Sequence, residues 1–237
     1  MNSDINKLLS YCSDFDLNIS EEQAALCIKH LNLVIEKNKQ VNLTRILNRD
    51  EALVLHILDS LLLLDQLEGA PKGRFLDMGT GAGFPGIPLA IASGRPAVLI
   101  DSVGKKINAV NDFCKELCLE DVVGVHTRLE DGAKTYRGSI SAVVARALAS
   151  LPVLCEYASP YLVKHGLFIV TKGNPSEDEL ESGIKAADIC GLKLVQKSSF
   201  DLPLDLGHRE TLVFEKYKPA SLKLPRQNGL ARKKPLA

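Results

Sequence analysis

No stretch of the 237-residue sequence is apolar for long enough to span a bilayer, so no membrane role is expected. The opening MNSDINKLL has neither a basic first region nor a small-residue cleavage site, which argues against a secretory signal and for a cytoplasmic protein. The six cysteines, Cys12, Cys27, Cys114, Cys118, Cys155 and Cys190, include no C-x-x-C pair. Zinc and dithiol redox chemistry are therefore not expected, no metal is assigned, and all six read as reduced structural thiols. Net charge is also missing: 29 Lys and Arg balance 29 Asp and Glu. The balance is uneven along the chain. Residues 216–237 hold seven basic residues and no acid, which leaves 22 basic against 29 acidic residues, a net of −7, in the remainder. A basic end on an acidic body fits a polyanionic partner and fits a solvated, partly disordered terminus equally well.

What is present centres on RFLDMGTGAGFPGIPLAI, from Arg74 to Ile91. Arg74 to Met78 is a short apolar run ending in an acid, as in a buried parallel strand. Gly79, Gly81 and Gly83 follow within five residues, and then a helix-compatible segment from Ile87 to Ala92. Strand, glycine loop and helix start form the first unit of a doubly wound α/β domain, whose ligands lie at the carboxyl ends of the strands. Glycine lets the backbone approach a ligand, and the helix N-terminus offers free N–H groups. Gly81-x-Gly83-x-x-Gly86 also satisfies the dinucleotide fingerprint, a weak pattern alone, while a Walker-type phosphate loop is excluded because no Gly-Lys-Ser/Thr follows.

The chain before this unit, residues 1–66, reads as helical. Ser20 is an N-cap with Gln23 completing a capping box, and the helix runs to about Lys39. A second helix is expected from about Asp50 to Leu67, with His56, Asp59 and Leu63 on one face. Periodicity favours His56 and Asp59 as a satisfied surface pair over a pair facing a cleft. Strands then alternate with helices: Ala97 to Ile100, ending at Asp101; a helix from Lys105 to Leu119; Val122 to His126; Ile140 to Ala145, with Arg146-Ala147 at its tip. A helix from Leu151 to Leu162 precedes a strand from Leu167 to Thr171, ending in Lys172. A polar helix spans Glu177 to Cys190, and Leu192 to Ser198 and Thr211 to Phe214 close a sheet of seven strands. The last connection holds no helix, so the final pair is expected antiparallel. An acid 24 residues past Asp77, at Asp101, suits a ribose diol. Nucleotide-dependent dehydrogenases usually carry a second catalytic domain, for which no residues remain, and this turns the expected cofactor from NAD to S-adenosylmethionine.

These residues resemble the RsmG (GidB) family of bacterial 16S rRNA (guanine-N7)-methyltransferases. The likeness is carried by NLT at 42–44, HILDSL at 56–61, FLDMGTGAGFPGIPLAI at 75–91 and LIDSVGKK at 99–106. It continues through RLED at 128–131, ARALASL at 145–151, KG at 172–173 and HRETLVFEK at 208–216. The family commonly has a tryptophan shortly before NLT, where this chain has Lys37-Asn38-Lys39 and no tryptophan at all, and often Gly-Pro-Gly-Leu where this chain has Gly-Ala-Gly-Phe. The resemblance implies a Rossmann-like class I methyltransferase with a seven-stranded, mostly parallel sheet. It implies an N-terminal helical extension at 1–66, a core at 67–217 and a basic tail at 218–237. Asp77 and the loop of Gly79, Gly81, Gly83 and Phe84 would hold the methionine part of S-adenosylmethionine, Asp101 its ribose, and Leu129 and Glu130 its adenine. Arg146 would position cofactor and target, with Asn42, His56, Lys172 and Arg209 on the substrate side. The implied partner is 16S rRNA, free or in the small ribosomal subunit or its precursor, and a monomer is expected. Guanine N7 carries a lone pair and no proton, so transfer requires positioning and no general base. Cys155, nine residues past Arg146 inside an expected helix, is poorly placed as the nucleophile that a cytosine-C5 enzyme needs. Taken singly, Asp77 and Asp101 could be local caps, Arg146 half of a surface ion pair and Lys172 a solvated charge. A methyltransferase for a small molecule or protein and a non-catalytic nucleic-acid-binding module are the competing readings.

Overall fold

A computed structural model describes residues 2–146 and 148–237. Its seven-stranded sheet has the order β3-β2-β1-β4-β5-β7-β6. The strands are β1 (Phe75–Met78), β2 (Ala97–Asp101), β3 (Val122–His126), β4 (Ile140–Arg146), β5 (Leu162–Lys172), β6 (Leu192–Asp201) and β7 (His208–Lys216). β1 pairs in parallel with both β2 and β4, so the order reverses beside β1. That reversal is where open α/β sheets hold ligands. The connection after β6, expected to hold no helix, contains a single 3-10 turn (Pro203–Asp205), and it does turn the chain back: β7 is antiparallel to both its neighbours, and it inserts between β5 and β6 instead of adding at the edge.

Helices cover both faces, which is why the central strands are apolar without alternation. Phe75, Leu99, Val144 and Ile169 point to one face. There they pack with α1 (Asn2–Asp14), α2 (Glu21–Asn38) and the helical segments that follow, through Leu8, Ile28, Leu31 and Ile57. Leu76, Ile100, Val143 and Phe168 point to the other face. Each such fully buried side chain stabilises the fold by about 1.5–3 kcal/mol.

α2 begins as its sequence predicts: the Ser20 side chain accepts from the Gln23 N–H, and the Gln23 side chain accepts from the Ser20 N–H. The second N-terminal helix differs from expectation. It consists of α3 (Arg49–Ala52), a π-helical segment Leu53–Leu58 and α4 (Asp59–Leu61), and a separate α5 (Leu64–Glu68) follows. Then come α6 (Gly86–Ser93), α7 (Gly104–Glu116), α8 (Leu129–Thr135), α9 (Leu151–Ala158), α10 (Glu177–Ile189) and α11 (Leu230–Lys233). α9 ends four residues earlier than its apolar run suggests, and the chain turns at Ser159-Pro160 so that Leu162 already pairs with Ile140.

The basic end is not free. Residues 218–237 fold back over the face that carries α8 to α10, burying Leu224 and Ala231. Four of its seven cationic groups are engaged within the protein: Lys216 with Ser159 and Cys190, Lys218 with Asp188, Arg226 with Glu156, and Arg232 with the Leu148 carbonyl.

Candidate active site

The glycine loop leaves β1 with the Gly79 and Thr80 N–H groups donating to the Ile100 carbonyl. Gly79 has φ +74°, and a Cβ there would lie 2.6 Å from Leu148. Gly83 has φ +94°, and a Cβ there would lie 2.6 Å from Ile87 and 3.2 Å from the His30 ring. Both positions need glycine for conformation and for space. Asp77, wholly buried at the end of β1, accepts the Gly86 N–H at 2.9 Å and so anchors the start of α6. Among the described residues its second oxygen has no hydrogen-bond partner, and burial pushes this carboxyl up to about 6. The capping role and a vacant buried acceptor thus coexist in one side chain.

Two cavities open at the carboxyl ends of the strands. The first, about 170 Å³, is lined by Gly79, Asp101, Leu129, Glu130, Tyr157 and Arg232, among others. Asp101 accepts the Gly81 N–H at 3.1 Å and the Val103 N–H at 2.9 Å, so one carboxylate ties the glycine loop to the start of α7. Glu130, 5 % exposed, accepts the Gly229 N–H at 2.8 Å. The second cavity, about 410 Å³, brings together His56, Asp59, Arg146, Lys172 and Arg209. Asp59 is 2 % exposed and joins two guanidiniums: Arg146 donates to one oxygen at 2.9 Å and Arg209 to the other at 3.1 Å. Arg146 also donates to the Leu55 carbonyl at 2.9 Å. That carbonyl is available because the π-helical turn sends the Asp59 N–H to Val54 instead. Lys172 pairs with Glu179 at 2.7 Å.

Phe84, at the end of the glycine loop, packs against two residues of the second cavity. The His56 ring stacks on it at 4.6 Å with 5° between planes, His30 lies 4.6 Å away, and the Arg146 guanidinium is 6.0 Å from its centroid. Burial pushes both histidines down to about 3, and the nearby Arg146 charge adds to this at His56. Both rings are therefore neutral, and His30 must carry its proton on Nε2 to donate to the Ala82 carbonyl at 3.0 Å. His56 bonds Thr44 at 2.8 Å.

The structure thus gathers Gly79, Asp101, Leu129 and Glu130 at one cavity and His56, Arg146, Lys172 and Arg209 at the other. Asp77, Gly81, Gly83, Phe84 and Asn42 line neither, and Asn42 is exposed. Reading His56 and Asp59 as a surface pair is overturned: both are buried, and each bonds to a different partner. Tyr157 and Arg232, unmarked by any motif, join the first cavity. Ala147, singled out with Arg146 at the tip of β4, lies outside the described residues. Among the described residues no cluster of three or more His, Cys, Asp or Glu is placed to hold a metal ion, and no helix is long and apolar enough to cross a membrane.

Solved structures place this architecture among class I methyltransferases. A geranyl diphosphate methyltransferase in complex with S-adenosylmethionine aligns with a TM-score of 0.54 at 13% identity, covering 67% of this chain and 84% of that one. The [4+2]-cyclase SpnF aligns with a TM-score of 0.56 at 12% identity, covering 69% and 81%. Likeness at this identity establishes the fold, and a cyclase among the neighbours shows why the fold alone does not give the reaction. Sequence is more specific. A family model described as rRNA small subunit methyltransferase G, GidB, matches residues 23–204. A ribosomal RNA small subunit methyltransferase G from Alkaliphilus metalliredigens is 36% identical over 229 residues, covering 95% of each chain. One from Desulfitobacterium hafniense is 38% identical over 224 residues, covering 93% of this chain and 92% of that one. The chain belongs to the rRNA small subunit methyltransferase G (GidB) family and is an S-adenosylmethionine-dependent methyltransferase.

Proposed function

We propose that the protein methylates N7 of one guanine in 16S rRNA, with the first cavity holding the cofactor and the second receiving the base. The observation that carries this reading is the pair of cavities at the carboxyl ends of the strands, one with two buried carboxylates beside Gly79 and the other with a clamped pair of arginines.

The residues of the first cavity fit S-adenosylmethionine. Asp101 keeps acceptor capacity beyond its two backbone bonds, as a ribose diol requires, since an ionised carboxylate offers about four lone-pair sites. Glu130 and Leu129 border the adenine side, and the open backbone of Gly79 to Gly83 suits the methionine part. When bound, the cofactor supplies an electrophilic methyl group on a positive sulfonium.

The remaining work falls to the chain itself. Guanine N7 is a lone-pair acceptor with no proton to lose, so the second cavity has to orient the base and exclude water. Its groups suit that task. Arg146 and Arg209 are held at fixed separation by Asp59 and keep further N–H donors for the guanine O6 edge or an adjacent phosphate. His56, held neutral, presents a flat face on Phe84 and is far too weak a base to take a proton near neutrality. This reading includes a cytoplasmic monomer acting on 16S rRNA, free or within the small subunit or its precursor.

The test is transfer of labelled methyl from S-adenosylmethionine to 16S rRNA, followed by mapping of the modified nucleotide. Label at a single guanine N7 is the expected result. Label on another atom overturns the N7 assignment, and label on protein or small molecules with none on rRNA overturns the substrate.

A further inference from the structure

The segment after β7 lies beyond the residues matched by the family model, which end at 204. It is nevertheless tied to the body of the protein along its length. The Tyr217 N–H donates to Gly191 and the Ser221 N–H to Ile189, which docks the start of the segment at the end of α10. The Arg226 guanidinium forms a two-pronged bond with Glu156, at 2.9 and 2.6 Å, and Glu156 is 2 % exposed on α9. A bidentate pair of this kind fixes orientation as well as position. Asn228 then donates to Asp131 at 2.8 Å, and the Gly229 N–H to Glu130 at 2.8 Å. One short helix turn later, Arg232 donates to the Leu148 carbonyl at 3.2 Å and lines the first cavity.

We propose that residues 218–237 form a strap that completes the cofactor site, with Arg232 as a cofactor-binding residue that contacts the adenosyl half. This rests on the cofactor assignment of the first cavity. Two independent features support it. The strap reaches Glu130, one of the two buried carboxylates of that cavity, through a backbone N–H, so the position of the strap and the position of this carboxylate are one variable. Arg232 then adds a planar cation to the lining of the same cavity, to which Tyr157 and Asp101 also contribute. A guanidinium packs on, or donates to, an uncharged purine, whereas a positive sulfonium repels it. The basic end of the chain is thereby assigned first to the cofactor, and among the described residues the side chains of Lys223, Lys233 and Lys234 make no hydrogen bond or ion pair within the protein.

Calorimetric titration with S-adenosylhomocysteine and with 5′-methylthioadenosine, which lacks the amino-acid end, tests the assignment on the full chain. Arg232 is exposed on its outer side, so Arg232→Ala should fold with an unchanged thermal midpoint in the absence of ligand. Its affinity should fall about tenfold for both ligands, the order expected for one lost charge-assisted contact. Affinities within twofold of wild type for both would overturn the strap proposal. A loss confined to S-adenosylhomocysteine would place Arg232 at the amino-acid end and overturn the adenosyl contact. Wild-type protein that binds neither ligand would instead overturn the cofactor reading on which the proposal stands.

Discussion

Replacing Asp59 is the sharpest perturbation of the proposed target side. Its carboxylate accepts from Arg146 and Arg209 at 2.9 and 3.1 Å, and its side chain is 3 % exposed against 13 % and 19 % for the two arginines. Asp59→Ala removes two charged hydrogen bonds and leaves two like charges facing one another. Breaking a buried ion pair by deleting one partner costs about 3–5 kcal/mol. The arginines retain the Leu55 and His208 carbonyls and border an open cavity, so the lower end, about 3 kcal/mol, is expected. For a chain of this size that lowers the thermal midpoint by about 6–12 °C. Urea unfolding measures the loss directly, and methyl transfer at saturating substrate should fall because Arg146 keeps one of its two anchors. The double variant Asp59→Ala/Arg209→Ala removes one of the repelling charges and should regain about 1 kcal/mol relative to the single variant. A loss below about 1 kcal/mol, or a double variant less stable than Asp59→Ala alone, would refute the clamp.

Further outcomes follow from the same geometry. Asp101→Ala should weaken S-adenosylhomocysteine binding by about 1.5–3 kcal/mol, tenfold or more in Kd, and an unchanged affinity in calorimetry would remove the ribose assignment. His30 and His56, pushed down to about 3, leave the unfolded chain to take up a proton at each near 6.5, so their stability is present above 6.5 and lost as pH falls towards 3. Asp77, pushed up to about 6, works the other way: its stability is present below 3.8 and lost as pH rises through 6. Between pH 4 and 6 these three groups together should raise stability by about 1.4 kcal/mol per pH unit, and Asp77→Asn should roughly double that slope; an unaltered slope contradicts the buried, protonatable Asp77. Cys118 is exposed and the other five cysteines are buried, with the Cys114 thiol pushed up to about 11 and those of Cys12 and Cys190 to about 12. A thiol reagent should therefore titrate one group in the native protein and six after unfolding, and two or more fast groups would contradict this burial.

The first βα unit was legible because its determinants are local: an apolar run, glycines where φ is positive, and an acid at the strand end. Asp101, Arg146 and Lys172 could be placed at strand ends for the same reason. The features that escaped depend on partners distant in the chain. The π-helical turn at Leu53–Leu58 has no local signal, since its freed carbonyl is taken by Arg146, 91 residues on. Asp59 reads as half of a surface pair until Arg146 and Arg209, 87 and 150 residues away, fold onto it. For the basic end, charge alone fitted a polyanion-binding segment and a solvated terminus equally, because a count of charges does not reveal that Glu156, 70 residues before Arg226, is buried and pairs with it. In α9 the apolar run continues past the helix end because Leu162 is buried equally well as the first residue of β5.

The position of Phe84 explains why two cavities can act as one site. In the proposed reading cofactor and base meet near the glycine loop, whose three glycines by themselves leave its backbone loosely placed. Phe84 removes that freedom: its ring is wedged against His56 and His30, and both rings are kept neutral by burial, so the wedge carries no charge of its own. Among the described residues the one charge laid over it is Arg146, whose cation–π contact adds about 0.5–2 kcal/mol and whose other bonds run to the π-helical turn and Asp59. Arg146 and Leu148 then part to the two cavities, one on each side of residue 147. On the proposed assignment, the arginine on the base side also packs over the Phe84 end of the glycine loop, so this packing orders the loop and the base side together before either ligand arrives.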